Sequence, residues 1–194
     1  MSDDFPLDRI VADDHGVTEE FALAMLERRD LDVLEIEQLA KASHLLASRK
    51  VMLAIARHIH TPRHVSIPLV RQLFVFELMQ LALTPAIAAD IKLLAERCIL
   101  GRLASITLGE RLTLAKRGST RIAAALLADP DIRVRDAALN NPFMTEMWVV
   151  RALMKLDTPG ALVQAIKHHA RWSNRTEIKR ALEGPKSGSQ ARPR

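Results

Sequence analysis

Leu127 to Leu153 reads LADPDIRVRDAALNNPFMTEMWVVRAL and Leu156 to Leu182 reads LDTPGALVQAIKHHARWSNRTEIKRAL, one 27-residue phrase given twice at an offset of 29. Pro130 falls on Pro159, Val134 on Val163, Ala137 on Ile166, Asn140 on His169, Val149 on Ile178 and Leu153 on Leu182. The copies agree in the role of each position more than in identity. A phrase of this length holds one helix-turn-helix unit, which cannot bury its apolar face alone and must stack on neighbours. The expected fold is therefore all-α, a right-handed α-solenoid of stacked helix pairs.

Outward from these repeats, the same helical grammar runs towards both ends. Residues 1–16 read as an irregular acidic leader, 17–182 as a single helical-repeat domain, and 183–194, EGPKSGSQARPR, as a disordered basic tail. Thr18 can cap a helix whose first turn carries Glu19 and Glu20, with Phe21, Ala24, Met25 and Arg28 on one face. Leu31 to Ala42 reads as a short helix on Leu31, Leu34, Leu39 and Ala42, and Ser48 starts another with Val51, Ala54 and Ile55 inward. Thr61 is expected to cap the next, with Pro62 in its first turn and a kink or break near Pro68. Thr61, Thr145 and Asn174 share one starting rule, each followed by apolar residues at i+4 and i+8. Leu73 to Ala82 is almost wholly apolar, which places it centrally. Thr84 and Pro85 open the longest run, Ala86 to about Leu103, with Ile87, Ile91, Leu94, Cys98 and Ile99 inward. Thr107 to Glu110, TLGE, is a capping box; Gly118 suits a left-handed helix stop, and Ser119 starts the next helix.

Composition narrows the functional classes. The chain has 194 residues, 48% of them hydrophobic, with five Phe, two Trp and no Tyr, so alanine and leucine must build a core of closely packed helices. One cysteine, Cys98, excludes an internal disulfide and suggests a reducing, cytoplasmic setting. The acidic N-terminus lacks the basic start and apolar run of an export signal, and Arg71, Gln72, Glu77 and Gln80 interrupt the greasiest stretch, so no membrane association is expected. Charge is strongly segregated: residues 1–40 carry net −9 and residues 41–194 net +14. Such a body attracts acidic proteins or phosphate polymers, and the leader is itself a candidate for pairing with it, within one chain or across a homodimer.

Two groups stand out as candidate binding residues. Arg57, His58, His60, Arg63 and His64 form the sharpest local cluster, read as an anion contact or as histidines that satisfy helix ends. Pro62 separates His60 from His64 and breaks the i, i+4 pairing a metal site favours, so no metal is expected. The second group is a basic series. Arg151, Lys155, Lys179 and Arg180 are its centre, since the repeat offset puts Arg180 under Arg151 and stacking turns such positions into a stripe. Arg133, Arg135, Lys167, Arg171 and Arg175 extend it. Asp129 or Asp131 reads as a helix cap, Asp136 as a solvated partner of Arg133 or Arg135, and Trp148 as a filler of the seam between repeats. No Gly-rich phosphate loop, GxSxG nucleophile or other catalytic frame occurs, so neither a catalytic residue nor a cofactor is expected.

The phrase ADPDIRVRDAALNNPFMTEMWVVRAL resembles the leucine-rich-variant repeat, a HEAT-like α-solenoid module of bacterial proteins. The resemblance rests on Asp129, Pro130 and Asp131, on Val134 and Arg135, on Ala137 and Ala138, on Asn141 and Pro142, and on Thr145 and Glu146. His169 and Ala170 replace the Asn-Pro corner in the second copy. Leu81 to Gly118 is similar to uncharacterised bacterial HEAT-like proteins. What the resemblance implies is a fold and no chemistry. The iron-sulfur cluster of some leucine-rich-variant proteins is not carried over, because a single cysteine cannot supply four thiolates. The basic, aromatic-lined pocket of HEAT-like DNA glycosylases is weakly matched by Trp148 and Trp172 alone. The expected function is a non-enzymatic scaffold or adaptor for a protein partner; the alternative is a nucleic-acid-binding solenoid using a basic surface.

Overall fold

The computed structural model describes residues 16–183, and every regular element among them is an α-helix. Residues 1–15 and 184–194, most of the predicted leader and tail, lie outside the described residues. The sequence placed one repeat domain over 17–182; the helices gather into two compact units, one ending at Gly101 and the other beginning at Arg102.

The first unit holds α1 (Glu19–Glu27), α2 (Val33–Lys41), α3 (Ser43–Leu46), α4 (Arg49–Arg57), α5 (Arg63–Gln72), α6 (Val75–Leu83) and α7 (Ala89–Arg102), whose last residue crosses into the second unit. Helix α4 is its hub, with α1, α2, α3, α5 and α6 packed against it. Val51, Met52, Ile55 and Ala56 are all buried, an apolar face wide enough to meet several neighbours. Thr18 and Ser48 cap α1 and α4 as expected, accepting from the backbone N–H groups of Phe21 and Val51. Asp32 and Glu35 add a capping box at the start of α2 that the hydrophobic pattern did not reveal.

Several helix faces differ from expectation. Helix α1 buries Ala22 and Leu26 and leaves Phe21 exposed, while α2 buries Ile36 and Leu39 and exposes Leu34. In runs so rich in apolar residues, two stripes offset by one position both look plausible, and the packing partner chooses between them. Thr61 is not the cap of α5. Its hydroxyl donates to the carbonyl of Ile55 at the end of α4, and Pro62 is the residue before the helix. Helix α5 runs unbroken through Pro68, and the chain breaks instead at Leu73 and Phe74. Helix α6 is one-sided: Val75, Leu78 and Leu81 are buried, whereas Phe76 and Leu83 are exposed. Helix α7 starts later than predicted and buries Ile91, Ala95 and Ile99, leaving Cys98 half-buried at the margin.

The second unit contains α8 (Leu108–Arg117), α9 (Thr120–Leu126), α10 (Ile132–Leu139), α11 (Glu146–Leu153), α12 (Gly160–His168) and α13 (Thr176–Glu183). Helix α8 packs on α10 and α10 on α12; α9 packs on α11 and α11 on α13. Alternate helices thus make two rows. The Thr107–Glu110 capping box forms as predicted, and its bond from the Thr107 backbone holds the Glu110 carboxyl below its usual range. Gly118 is not left-handed, having φ of −67°. Its glycine is required by space, since a Cβ there would lie 2.5 Å from the Leu114 carbonyl oxygen.

The buried positions of the two copies fall in a shifted register. Val134 and Ala138 occupy the buried positions that Leu162 and Ile166 occupy in the second copy, an offset of 28, whereas Val149 and Ile178 match at 29. Between the helices of the first pair lie residues 140–145, and between those of the second lie 169–175. The extra residue sits in the turn, where a longer connection costs little. His169 therefore corresponds to Asn141 and not to Asn140.

That correspondence exposes a recurring bond. Asn141 is fully buried; its Nδ2 donates to the carbonyls of Ala115 and Gly118, and its Oδ1 accepts from the N–H of Phe143. His169 Nδ1 accepts from the N–H of Arg171 in the same way. Arg171 donates to the carbonyls of Asn141 and Met144, and Trp172 Nε1 to that of Leu139. In the first unit His58 Nδ1 accepts from the N–H of His60, and His58 Nε2 reaches the carbonyl of Arg28 at 2.8 Å. His60 reaches the carbonyl of Leu31, and His44 that of Val17. These side chains fasten one helix corner to carbonyls left open at an earlier corner.

Candidate functional site

The local cluster predicted over residues 57–64 is divided by the fold. His60 is committed to the Leu31 carbonyl, Arg63 pairs with Asp90 at 2.6 Å, and His64 lies 3.1 Å from Glu37. Among the described residues no three His, Cys, Asp or Glu side chains gather as a metal set. Arg57 and His58 remain together at the end of α4, where they line a groove of about 500 Å³.

This groove lies between α1 and α4. Leu23, Leu26, Ala54 and Ile59 give it apolar walls, and Arg28, Arg29, Lys50 and Arg57 give it four cations against one carboxylate, Glu27. The arrangement follows from helix periodicity. Lys50, Ala54 and Arg57 stand at i, i+4 and i+7 on α4, so one stripe carries a cation at each end and a small residue between. Arg28 is partly neutralised by Asp30, 3.2 Å away, whose carboxyl its hydrogen bond holds below the usual range. Among the described residues Arg29, Lys50 and Arg57 have no ion pair. Sequence reasoning missed Arg28, Arg29 and Lys50 because they come from two separate stretches.

The basic series of the second unit is also sorted by the structure. Arg135, expected on the binding surface, is buried and donates to the carbonyls of Asp129 and Pro130. Arg133 is bound to Asp131, which caps α10 through the Arg133 N–H; Asp136, the predicted partner of these arginines, takes neither. That hydrogen bond from the Arg133 guanidinium is the main reason the Asp131 carboxyl titrates at about 2. Asp129 is buried against Arg111 at 2.8 Å. Arg171 is spent on backbone carbonyls and lies over the Trp172 ring, and Arg175 approaches Glu146 at 3.9 Å. Arg180 is bonded to Glu177. Trp172 is only 1% exposed and donates to the Leu139 carbonyl, while Trp148, expected at the seam between repeats, is half-buried.

What remains at the surface is a mixed face on α11. Met147, Arg151 and Met154 stand at i, i+4 and i+7, and the two methionines are 66% and 65% exposed. Leu156 beyond the helix is fully exposed, and the Arg151 guanidinium lies 5.3 Å from the half-buried Trp148 ring. Lys155 is exposed at the helix end, and α13, packed on α11, carries exposed Lys179 and Arg180. Lys167 is exposed on α12. No helix among the described residues is long and apolar enough to cross a membrane. Against known proteins, the chain matches no family model, no curated sequence and no solved structure.

Proposed function

We propose that the protein is a non-enzymatic, HEAT-like α-solenoid adaptor that binds a protein partner through the outer face of α11. The solenoid reading is supported, within the second unit, by the two rows of alternate helices and by the corner bonds that recur at similar sequence separations. The observation that carries the binding function is the exposure of Met147, Met154 and Leu156 around Arg151. Long, flexible apolar side chains left in water are used by binding surfaces, where methionine adapts to its partner's shape. Arg151 and Lys155 among them favour a partner segment that alternates apolar with acidic residues, because the cations steer it and the methionines hold it.

The alternative, a nucleic-acid-binding solenoid, draws on Arg151, Lys155, Lys179 and Arg180 alone and gives the methionines no part. Fluorescence anisotropy separates the two. A labelled acidic amphipathic peptide and a labelled oligonucleotide are titrated with the full chain and with the double variants Met147→Ala/Met154→Ala and Arg151→Glu/Lys155→Glu. The adaptor reading expects the methionine variant to lose about tenfold in peptide affinity, the equivalent of roughly 1.4 kcal/mol of apolar burial. Oligonucleotide binding that is stronger than peptide binding, and indifferent to the methionines, overturns it.

A further inference from the structure

The groove between α1 and α4 belongs to the first unit, and three of its four cations, Arg29, Lys50 and Arg57, have no ion pair among the described residues. We propose that its occupant is the chain's own acidic leader, residues 1–15. Three observations converge on that segment.

The first is charge. MSDDFPLDRIVADDH carries five aspartates against one arginine. The groove carries Arg28, Arg29, Lys50 and Arg57 against Glu27. The two are opposite in sign, and opposite potentials facing each other orient a segment as well as attract it.

The second is the match of apolar to polar positions. The leader sets Phe5, Leu7, Ile10 and Val11 between its aspartates. The groove sets Leu23, Leu26, Ala54 and Ile59 between its cations. A purely ionic ligand, such as a free phosphate, would leave those walls unused. Lys50 and Arg57 are seven residues apart on one helix, about 10 Å along its axis. Asp4 and Asp8 can span about 13 Å when the chain is extended, so two carboxylates can meet both ends of the stripe.

The third is the tether. The leader joins the described chain at Gly16, and His44 fixes that junction by its bond to the Val17 carbonyl at 3.1 Å. Helix α1 has nine residues, about 13 Å of rise, so the groove at its C-terminal half is near the junction. Fifteen residues reach up to about 50 Å. A tethered segment of this kind is present at millimolar effective concentration, which makes even weak contacts populated. An outside acidic ligand must then displace the leader before it can use the groove.

Carbodiimide coupling on the full-length chain tests this directly, since the reagent joins a carboxylate to a neighbouring lysine amine. With equal amounts of ¹⁴N- and ¹⁵N-labelled protein mixed, mass spectrometry distinguishes links within a chain from links between chains. The expected result is a link from a leader aspartate to Lys50, within one chain, unchanged on dilution, and reduced severalfold by Arg57→Glu, an exposed substitution. Links spread evenly over Lys41, Lys50 and Lys92, or found only between chains, overturn the proposal. A second measurement uses a dye-labelled synthetic peptide of residues 1–15 as the probe. Asp→Asn changes at all five leader positions should raise its affinity for the full chain at least tenfold, and Arg57→Glu should remove that gain. Equal binding to the wild-type and leader-neutralised chains overturns the proposal as well.

Discussion

Both amide N–H bonds of Asn141 go to carbonyls of the preceding corner, Ala115 at 2.8 Å and Gly118 at 3.1 Å. Its oxygen holds the Phe143 N–H. Asn141→Ala would leave these backbone groups buried without partners and should cost about 3 kcal/mol. Asn141→Asp should cost at least as much at neutral pH, because a carboxylate would face two carbonyl oxygens. Urea denaturation followed by circular dichroism measures both. Gly118→Ala meets the Leu114 carbonyl oxygen and should cost about 2 kcal/mol by overpacking. His169, which takes Asn141's place in the second repeat, adds a pH dependence. Burial lowers its pKa below 6.5, with Asp136 opposing and Arg171 assisting. The unfolded chain therefore takes up the proton first as pH falls, so stability is complete above pH 6.5 and declines as pH drops through the depressed folded value. The decline between neutral and mildly acid pH should shrink in His169→Asn relative to wild type; an unchanged slope would assign it to other histidines. The sequence showed Asn141 as a conspicuous corner residue. Its partners were illegible because they lie more than twenty positions away, and only packing brings the corners together.

At the scale of the helices, starts were the most legible feature and faces the least. Thr18, Ser48 and Thr107 announce helix starts through short-range bonds that need only a few consecutive residues. The inward faces of α1 and α2 depend on which neighbour arrives, and nothing within either helix sets that. Asp131 illustrates a cap whose strength is chemical as well as positional. It accepts from the Arg133 N–H and guanidinium, which lowers its pKa from 3.8 to about 2. Its contribution is present above the ordinary carboxyl pKa and is lost as pH falls towards about 2. Asp131→Asn should flatten the acid limb of a stability-pH curve in that window. Pro68 gives an opposite case, a residue that disfavours its own helix. It lies exposed inside α5, has no N–H to donate to the His64 carbonyl, and is tolerated because Ser66, Leu69 and Val70 are buried around it. Proline in a helix interior costs about 3 kcal/mol relative to alanine, offset by up to about 1 kcal/mol from a stiffer unfolded chain. Pro68→Ala should therefore stabilise the protein by about 2 kcal/mol, read as a higher urea midpoint at unchanged slope.

For the whole molecule, helical class and charge segregation were legible in the sequence. The chain falls into two compact units between Gly101 and Arg102, in the last turn of α7, where no Pro-, Gly- or Ser-rich linker of the kind that marks a domain boundary occurs. Charge segregation leads to a prediction about any polyanion the protein meets. Residues 41–194 carry net +14, and residues 1–40 carry net −9 on the same chain. If the leader covers groove cations, it acts as a tethered competitor, and replacing its five aspartates by asparagine uncovers about three of them. Each cation that meets a phosphate of a single-stranded oligonucleotide steepens the salt dependence of log affinity by about 0.7. The neutralised chain should therefore bind a mixed-sequence single strand more tightly at low salt, with a slope steeper by about 2, and the two curves should converge as salt rises. Net charge alone would also tighten binding. It would do so through diffuse attraction with no dependence on Arg29, Lys50 or Arg57, so Lys50→Glu/Arg57→Glu in the neutralised background distinguishes them. Return of the slope to the wild-type value identifies the groove as the uncovered surface, and a slope that stays steep places the attraction elsewhere on the basic body.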